Sequence, residues 1–413
     1  MTDSISPLTG GAESGDTRVT GLGAQGRVAA VHVETRRGLM VASGFVAAAA
    51  VVGLARVGDG WWMPLHLFAV GGLLSAISAT TLMLTVTWST GPAPRSSVAG
   101  AQRWALAAGA VAMVVGHTNN LTWMFVGGAA IVVIAILALA MMLVWVRRQA
   151  VTNRFSPAIE SYAAAVVAGA VGMSVGIVLG TGRAGIRAGD LRDVHLIINI
   201  FGLIGLAIAG TLPYFAATQV RTKMSRWATP RAMRATLLAL AAATAVAAAG
   251  EFWDSPRIVG FGLVSYALGL LSVVAMLPIY KVSRLTWGGP RVLQLLSGIA
   301  WWVAMTIALA VARLNGDDDR VILQGLVVGG FAQILVASLA YLGPVLRGGG
   351  HRRLTAGFAI TRSWISLVAG NAAALGALVG RASIFVVALT VWFVDTAVRA
   401  VRLVSAPRSD AHV

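Results

Sequence analysis

Long apolar runs, each close to twenty residues and separated by short charged loops, constrain this chain more than any other feature. They fall at 38–57, 62–88, 98–117, 120–146, 158–180, 190–217, 231–250, 258–280, 291–313, 320–343, 361–379 and 381–404. A run of roughly 20 apolar residues is enough to carry a helix across the hydrocarbon of a bilayer. Backbone N–H and C=O groups in lipid must be satisfied within the segment, which favours helix over open strand. The runs lack the period-two alternation of a transmembrane barrel, so that architecture is excluded. Only 11% of the residues are charged and 57% are hydrophobic, against roughly 25% charged in a soluble domain. The expected fold class is all-α: a polytopic membrane helix bundle of about twelve transmembrane helices, with the lipid bilayer as its first partner. The alanine-rich run 231–250 is the weakest of the set.

The formal net charge of +17 would point to nucleic acid in a soluble protein. Here the basic residues sit at helix ends, and no basic face or aromatic platform is available, so nucleic acid is not expected as a partner. With the N-terminus inside, 24 of the 32 Lys and Arg residues fall on the inner side and the other 8 outside. Arg147, Arg148 and Arg154, then Arg221, Lys223, Arg226, Arg231 and Arg234, then Arg347, Arg352 and Arg353 mark the inner loops. Asp59, Asp190, Asp193, Glu251, Asp254 and Asp317–Asp319 mark the outer ones. The positive-inside rule then predicts a plasma-membrane protein with both termini cytoplasmic. Residues 1–37 are rich in Gly, Ser and Thr, with no apolar core of signal type, and read as a disordered cytoplasmic tail. Residues 38–404 form the transmembrane domain and 405–413 a second cytoplasmic tail.

An internal repeat runs through the membrane domain. The second helix reads PLHLFAVGGLLSAISATTLML and the sixth DVHLIINIFGLIGLAIAGTLPYF, and a shift of 129 residues superimposes His66 on His195. The tenth reads RVILQGLVVGGFAQILVASLAYLGPVL, and a shift of 127 from the sixth places Gly329 on Gly202 and Tyr341 on Tyr214. The fourth, eighth and twelfth helices share aromatic or basic ends, including Trp145–Arg148, Tyr280–Lys281 and Arg399–Arg402. The expected organisation is three four-helix pseudo-repeats, 38–146, 158–280 and 291–404.

There is no cysteine, which excludes disulfides, thiolate metal sites, iron–sulfur clusters and covalently attached c-type haem. Any metal or haem must be held by His, Met, Tyr or carboxylate. Of the six histidines, His32 and His412 lie in the tails and His351 in a basic loop, and these three are expected to be solvated. His66, His117 and His195 all lie near the outer ends of their helices. An ionisable side chain at membrane depth is costly, so it faces the bundle interior and finds a partner. Neutral imidazole is a common ligand of haem iron and copper. Asn199 follows His195 by four residues, on the same helical face, where it could bond the imidazole or a ligand. The competing reading is that the histidines only hydrogen-bond at the interface.

The second helix with its outer histidine, and the HLIINIFGLIGLAIAGTLPYF segment with its RTKM continuation, resemble the haem–copper oxidase subunit I superfamily. Closest in flavour are NnrS-like membrane proteins and the membrane domains attached to some actinobacterial copper nitrite reductases. The resemblance spans most of 38–404. It implies that His66 matches a low-spin haem ligand and His195 a copper ligand. The seventh helix, 231–250, lacks the paired histidines of active oxidases, and the tenth has Gln324 and Gln333 but no histidine. A complete haem–copper centre cannot be assembled, so oxygen or nitric oxide reduction by the usual mechanism is not expected, and no catalytic residue is assigned. A reduced site remains: one copper on His66, His117 and His195, or haem b on one of them, with Met63, Met113 or Met173 as soft ligands. The resemblance implies an accessory of respiratory or nitrogen-oxide metabolism, with a respiratory or copper-protein partner. The alternatives are a cofactor-free transporter and a structural membrane subunit.

Other features have blander readings. Gly172, Gly176 and Gly180 form a GxxxGxxxG ridge, expected to serve close helix packing. Asp317–Asp319 with Asn315 reads as a solvated loop, and Asp395 and Arg399 as an i,i+4 ion pair. Trp61, Trp62, Trp301 and Trp302 read as interfacial belts or packing.

Overall fold

The computed structural model describes residues 24–55, 60–278, 281–348 and 350–406. Among them there are only helices and their connections. The membrane helices are α1 Ala24–Leu54, α2 Trp62–Ser89, α3 Ser96–Thr118, α4 Thr122–Arg148, α5 Ser156–Gly180 and α6 Gly185–Gln219. Then come α7 Pro230–Phe252, α8 Pro256–Ala275, α9 Pro290–Asn315, α10 Arg320–Arg347, α11 Trp364–Leu378 and α12 Ala382–Ser405. All of these except α11, eleven helices among the described residues, are long and apolar enough to cross a membrane. With 15 residues, α11 reaches only about 22 Å at 1.5 Å per residue. The alanine-rich α7 is a full helix, and Thr229 caps it by accepting from the backbone N–H of Ala232 at 3.2 Å.

The N-terminal side is helical earlier than its hydropathy suggests. Helix begins at Ala24, inside the stretch expected to be a disordered tail, and His32 lies half-buried on it. Val31, Thr35, Leu39 and Ala42 form a buried stripe at helical spacing. The Thr35 hydroxyl donates to the Val31 carbonyl at 2.7 Å, and Glu34 pairs with Arg103 of α3 at 2.6 Å. Packing against α2 and α3 thus orders a polar segment that hydropathy alone leaves out. Residues 1–23, Asp59, Tyr280 and His412 lie outside the described residues.

Three helices share a feature that hydropathy does not reveal. π-Helical turns interrupt α2 at Leu67–Leu73, α6 at Ile198–Gly205 and α10 at Leu326–Ala332. Each packs against the helix before it: α1, α5 and α9 respectively. Each carries a glycine where the neighbour comes too close for a side chain. A Cβ on Gly72 would lie 2.7 Å from Val46, one on Gly202 2.9 Å from Ala168, and one on Gly329 2.6 Å from Trp301. The wider turn adds a residue to the helix and rotates the turns beyond it about the axis, and such turns recur at functional sites.

Ion pairs tie the ends of the bundle together. Glu160 of α5 accepts from Nε and Nη2 of Arg234 on α7, at 2.7 and 2.8 Å. At the other end Arg313 of α9 gathers Asp193 at 2.9 Å, Asp319 at 2.7 Å and Glu251 at 3.4 Å. Asp319 is therefore not part of a solvated loop. Its side chain is 12% exposed, whereas Asp317 and Asp318 remain exposed. Arg291, 3% exposed, is held differently. It donates to the Gln219 carbonyl at 3.2 Å, and its guanidinium lies 4.5 Å from the Phe358 ring centroid and 5.2 Å from that of Tyr341, a cation–π setting. The expected Asp395–Arg399 pair forms at 2.8 Å.

Candidate cofactor site

At the acidic end of the bundle, α2, α3 and α6 bring four rings into one column. Trp62 and His66, four residues apart on α2, share a face, and their rings stack at 4.1 Å between centroids. The His117 ring at the end of α3 stacks on the same indole at 3.8 Å. Two imidazoles this close and this parallel to one indole cannot share a face, so Trp62 lies between them. Beyond His66, the His195 ring of α6 lies at 6.4 Å, tilted by 17°. The order is His117, Trp62, His66, His195. Each stacked aromatic pair contributes about 0.5–1.5 kcal/mol beyond burial.

The three histidines expected to share a copper ion are therefore divided. His66 and His195 approach one another, whereas the indole separates His117 from both. Among the described residues no group of three or more His, Asp or Glu side chains is placed to hold a metal ion. His117 instead packs beside Phe125 at 5.5 Å. The methionines considered as soft ligands are packing residues: Met113 is buried in a small cluster with Val114, Phe125 and Ala129, and Met63 packs against it. Met173 packs against the main core.

Hydrogen bonds fix how the two approaching rings present themselves. His66 Nδ1 lies 2.8 Å from the Trp62 carbonyl, and His195 Nδ1 lies 2.7 Å from the Gly172 carbonyl. A carbonyl only accepts, so Nδ1 of each ring carries the proton and donates. In the neutral ring Nε2 then keeps its lone pair. A ligating histidine is commonly anchored this way, through its other nitrogen on a backbone carbonyl. Asn199, expected to bond the imidazole or a ligand, lies beside His195. Its amide nitrogen is 3.3 Å from Nδ1, but two N–H donors cannot bond each other. The amide instead donates to the His195 carbonyl at 2.8 Å.

The GxxxGxxxG ridge of α5 does allow close packing, and it does so at this site. A Cβ on Gly172 would sit 2.5 Å from Asn199 Nδ2, and one on Gly176 2.7 Å from His195 Cε1. One on Gly180 would enter the Phe125 ring. The ridge is thus the wall against which His195 and Asn199 rest. Sequence reading missed three further participants: the intercalated Trp62, the π turns that begin just after the histidines, and Asp193, which links the start of α6 to Arg313. The i,i+4 spacing of Trp62 and His66 and the glycines at Gly71 and Gly72 were visible signals for the first two.

In the third group of helices the corresponding place is filled differently. Gln324 precedes the π turn of α10, and Gln333 comes directly after it. Asn371 of α11 accepts from Ser297 and from Trp301 Nε1, each at 2.8 Å, and donates to the Leu367 carbonyl at 2.8 Å. Gln333 donates to the Gly329 carbonyl at 3.0 Å. This is a closed network of neutral amides, hydroxyl and indole.

The fold is a multi-pass helical membrane bundle, and neither protein-family models nor curated protein sequences give a match to this chain.

Proposed function

We propose that His66 and His195 hold one redox group, haem b or a copper ion, and that the chain serves as an accessory of respiratory or nitrogen-oxide metabolism. The observation that carries this reading is the ring pair itself: two imidazoles from separate helices, 6.4 Å apart, each with Nδ1 committed to a carbonyl. An imidazole binds a metal through the in-plane lone pair of one nitrogen, and Nε2 of each ring is the nitrogen left for that role. Two nitrogen donors suit haem iron and copper and are poor ligands for calcium or magnesium. Such a group, when bound, supplies one-electron transfer. The residues of this chain orient the two rings and hold the imidazole protons on Nδ1.

On this reading the chain derives from the haem–copper oxidase fold while lacking a second metal centre, since α7 and α10 contain no histidine. By the charge bias of the loops the site lies at the outer face of the plasma membrane, where an extracytoplasmic copper or respiratory protein could exchange electrons with it. The test is the visible spectrum and metal content of detergent-purified protein expressed with haem and copper in excess. A Soret band or stoichiometric copper that disappears in His66→Ala and in His195→Ala is the expected result. Colourless, metal-free protein would sink the proposal and leave a cofactor-free transporter or structural subunit.

A further inference from the structure

A second site lies at the opposite, basic end, between the helix Gly350–Thr361 and the ends of α11 and α12. A cavity of about 390 Å³ there is lined by Arg362, Arg399, Arg402, Asp395, Trp364 and Ile365, among others. Its charge does not balance. Asp395 is consumed by Arg399 Nε and Nη2, at 2.9 and 2.8 Å, and by the Ser363 hydroxyl at 3.0 Å. Arg399 Nη1 donates to the Thr361 carbonyl at 2.8 Å, so this pair is neutral and internally satisfied. Arg362 donates to the neutral Trp287 carbonyl. Neither Arg362 nor Arg402 has an ion-pair partner among the described residues. The cavity therefore carries two uncompensated guanidinium groups, the side chain best suited to bidentate recognition of phosphate.

The wall beside these arginines is apolar and faces outward. Trp364 is 61% exposed, Ile365 55% and Val368 65%, all on the first turns of α11. Tryptophan is at home at the headgroup level, and aliphatic side chains one turn deeper face acyl chains. A free phosphate would use the arginines and ignore this wall, whereas a phospholipid would use both. Basic pockets between membrane helices bind anionic headgroups in this manner.

We propose that this cavity is a binding site for an anionic phospholipid. Its phosphate sits between Arg362 and Arg402, and its acyl chain lies along Trp364, Ile365 and Val368.

The test uses the full chain in neutral detergent, titrated with phosphatidylglycerol, phosphatidylcholine or inorganic phosphate and followed by native mass spectrometry and thermal stability. Wild type is expected to retain phosphatidylglycerol at least tenfold better than phosphatidylcholine. The Arg362→Gln/Arg402→Gln variant should lose that preference, and Arg226→Gln, in a basic loop elsewhere, should keep it. Should the double variant not fold, Arg402→Gln alone, at an exposed side chain, is expected to lower the preference severalfold. Equal retention of the two lipids by wild type would overturn the proposal. So would an undiminished preference in the arginine variants, or stabilisation by inorganic phosphate with none by lipid.

Discussion

The histidine column of α2, α3 and α6 and the amide network of α9, α10 and α11 are built on the same backbone device and differ in chemistry. Both lie beside a π turn packed through glycine onto the preceding helix. In the amide network each strong donor meets an acceptor: Trp301 and Ser297 meet Asn371, and Gln333 meets a carbonyl. In the column Nδ1 of His66 and of His195 is engaged, while their Nε2 atoms make no hydrogen bond to the described residues. A closed network rigidifies the helices it joins. A half-engaged one offers lone pairs to something outside the chain. The π turn cannot itself be the functional mark, because the third group has it without a histidine. What distinguishes the site is the side chain presented just before that turn.

The two regions join at Arg313, and the largest effect is expected there. Arg313 of α9 holds Asp193, two residues before His195, together with Glu251 and Asp319. Arg313→Leu leaves Glu251 and Asp319 without their cation and Asp193 with only Arg192, at 3.4 Å, and should cost about 3 kcal/mol. The measurement is unfolding in mixed detergent micelles, and a loss below about 1 kcal/mol would show that water already screens the cluster. Next in size, Gly176→Ile drives a side chain into His195. About 3 kcal/mol of overpacking is expected, together with loss of any bound haem or copper. An unchanged spectrum would mean that His195 does not rest on this ridge when loaded.

Asn371→Leu strips the amide network of its hub and orphans the Trp301 and Ser297 donors, at a cost of about 2 kcal/mol. It should leave metal and haem content untouched, which separates the closed region from the open one. Loss of cofactor in this variant would merge the two regions into a single site. The smallest effect is expected from His117→Ala, which removes one stacking face of Trp62 for about 1 kcal/mol. Because the indole separates His117 from His66, the variant should retain whatever His66→Ala loses. Equal loss in both would return His117 to the ligand set.

Much of the fold was legible in the sequence for a simple reason. Lipid admits no unsatisfied backbone, so hydropathy reports helices nearly one for one. The predicted 62–88 is Trp62–Ser89, and 231–250 is Pro230–Phe252. The same reasoning failed where packing replaced hydropathy. Residues 24–37 are polar enough to read as a tail, yet Val31, Thr35 and the Glu34–Arg103 pair order them. At the site, helical spacing put Asn199 beside His195, because four residues is one turn of the same helix.

The helix count to within one, the alternation of basic and acidic ends, and the three histidines near one end can all be read from the residues alone. These come from local chemistry: transfer into lipid, the charge preference of loops, and the period of a helix. That Trp62 parts His117 from His66, and that the glycines of α5 seat His195, follows from how the helices pack. So does the departure of Asp319 from its loop to Arg313. Those outcomes depend on the rotation of separate helices about their axes, and three π turns reset that rotation. No apolar run records it.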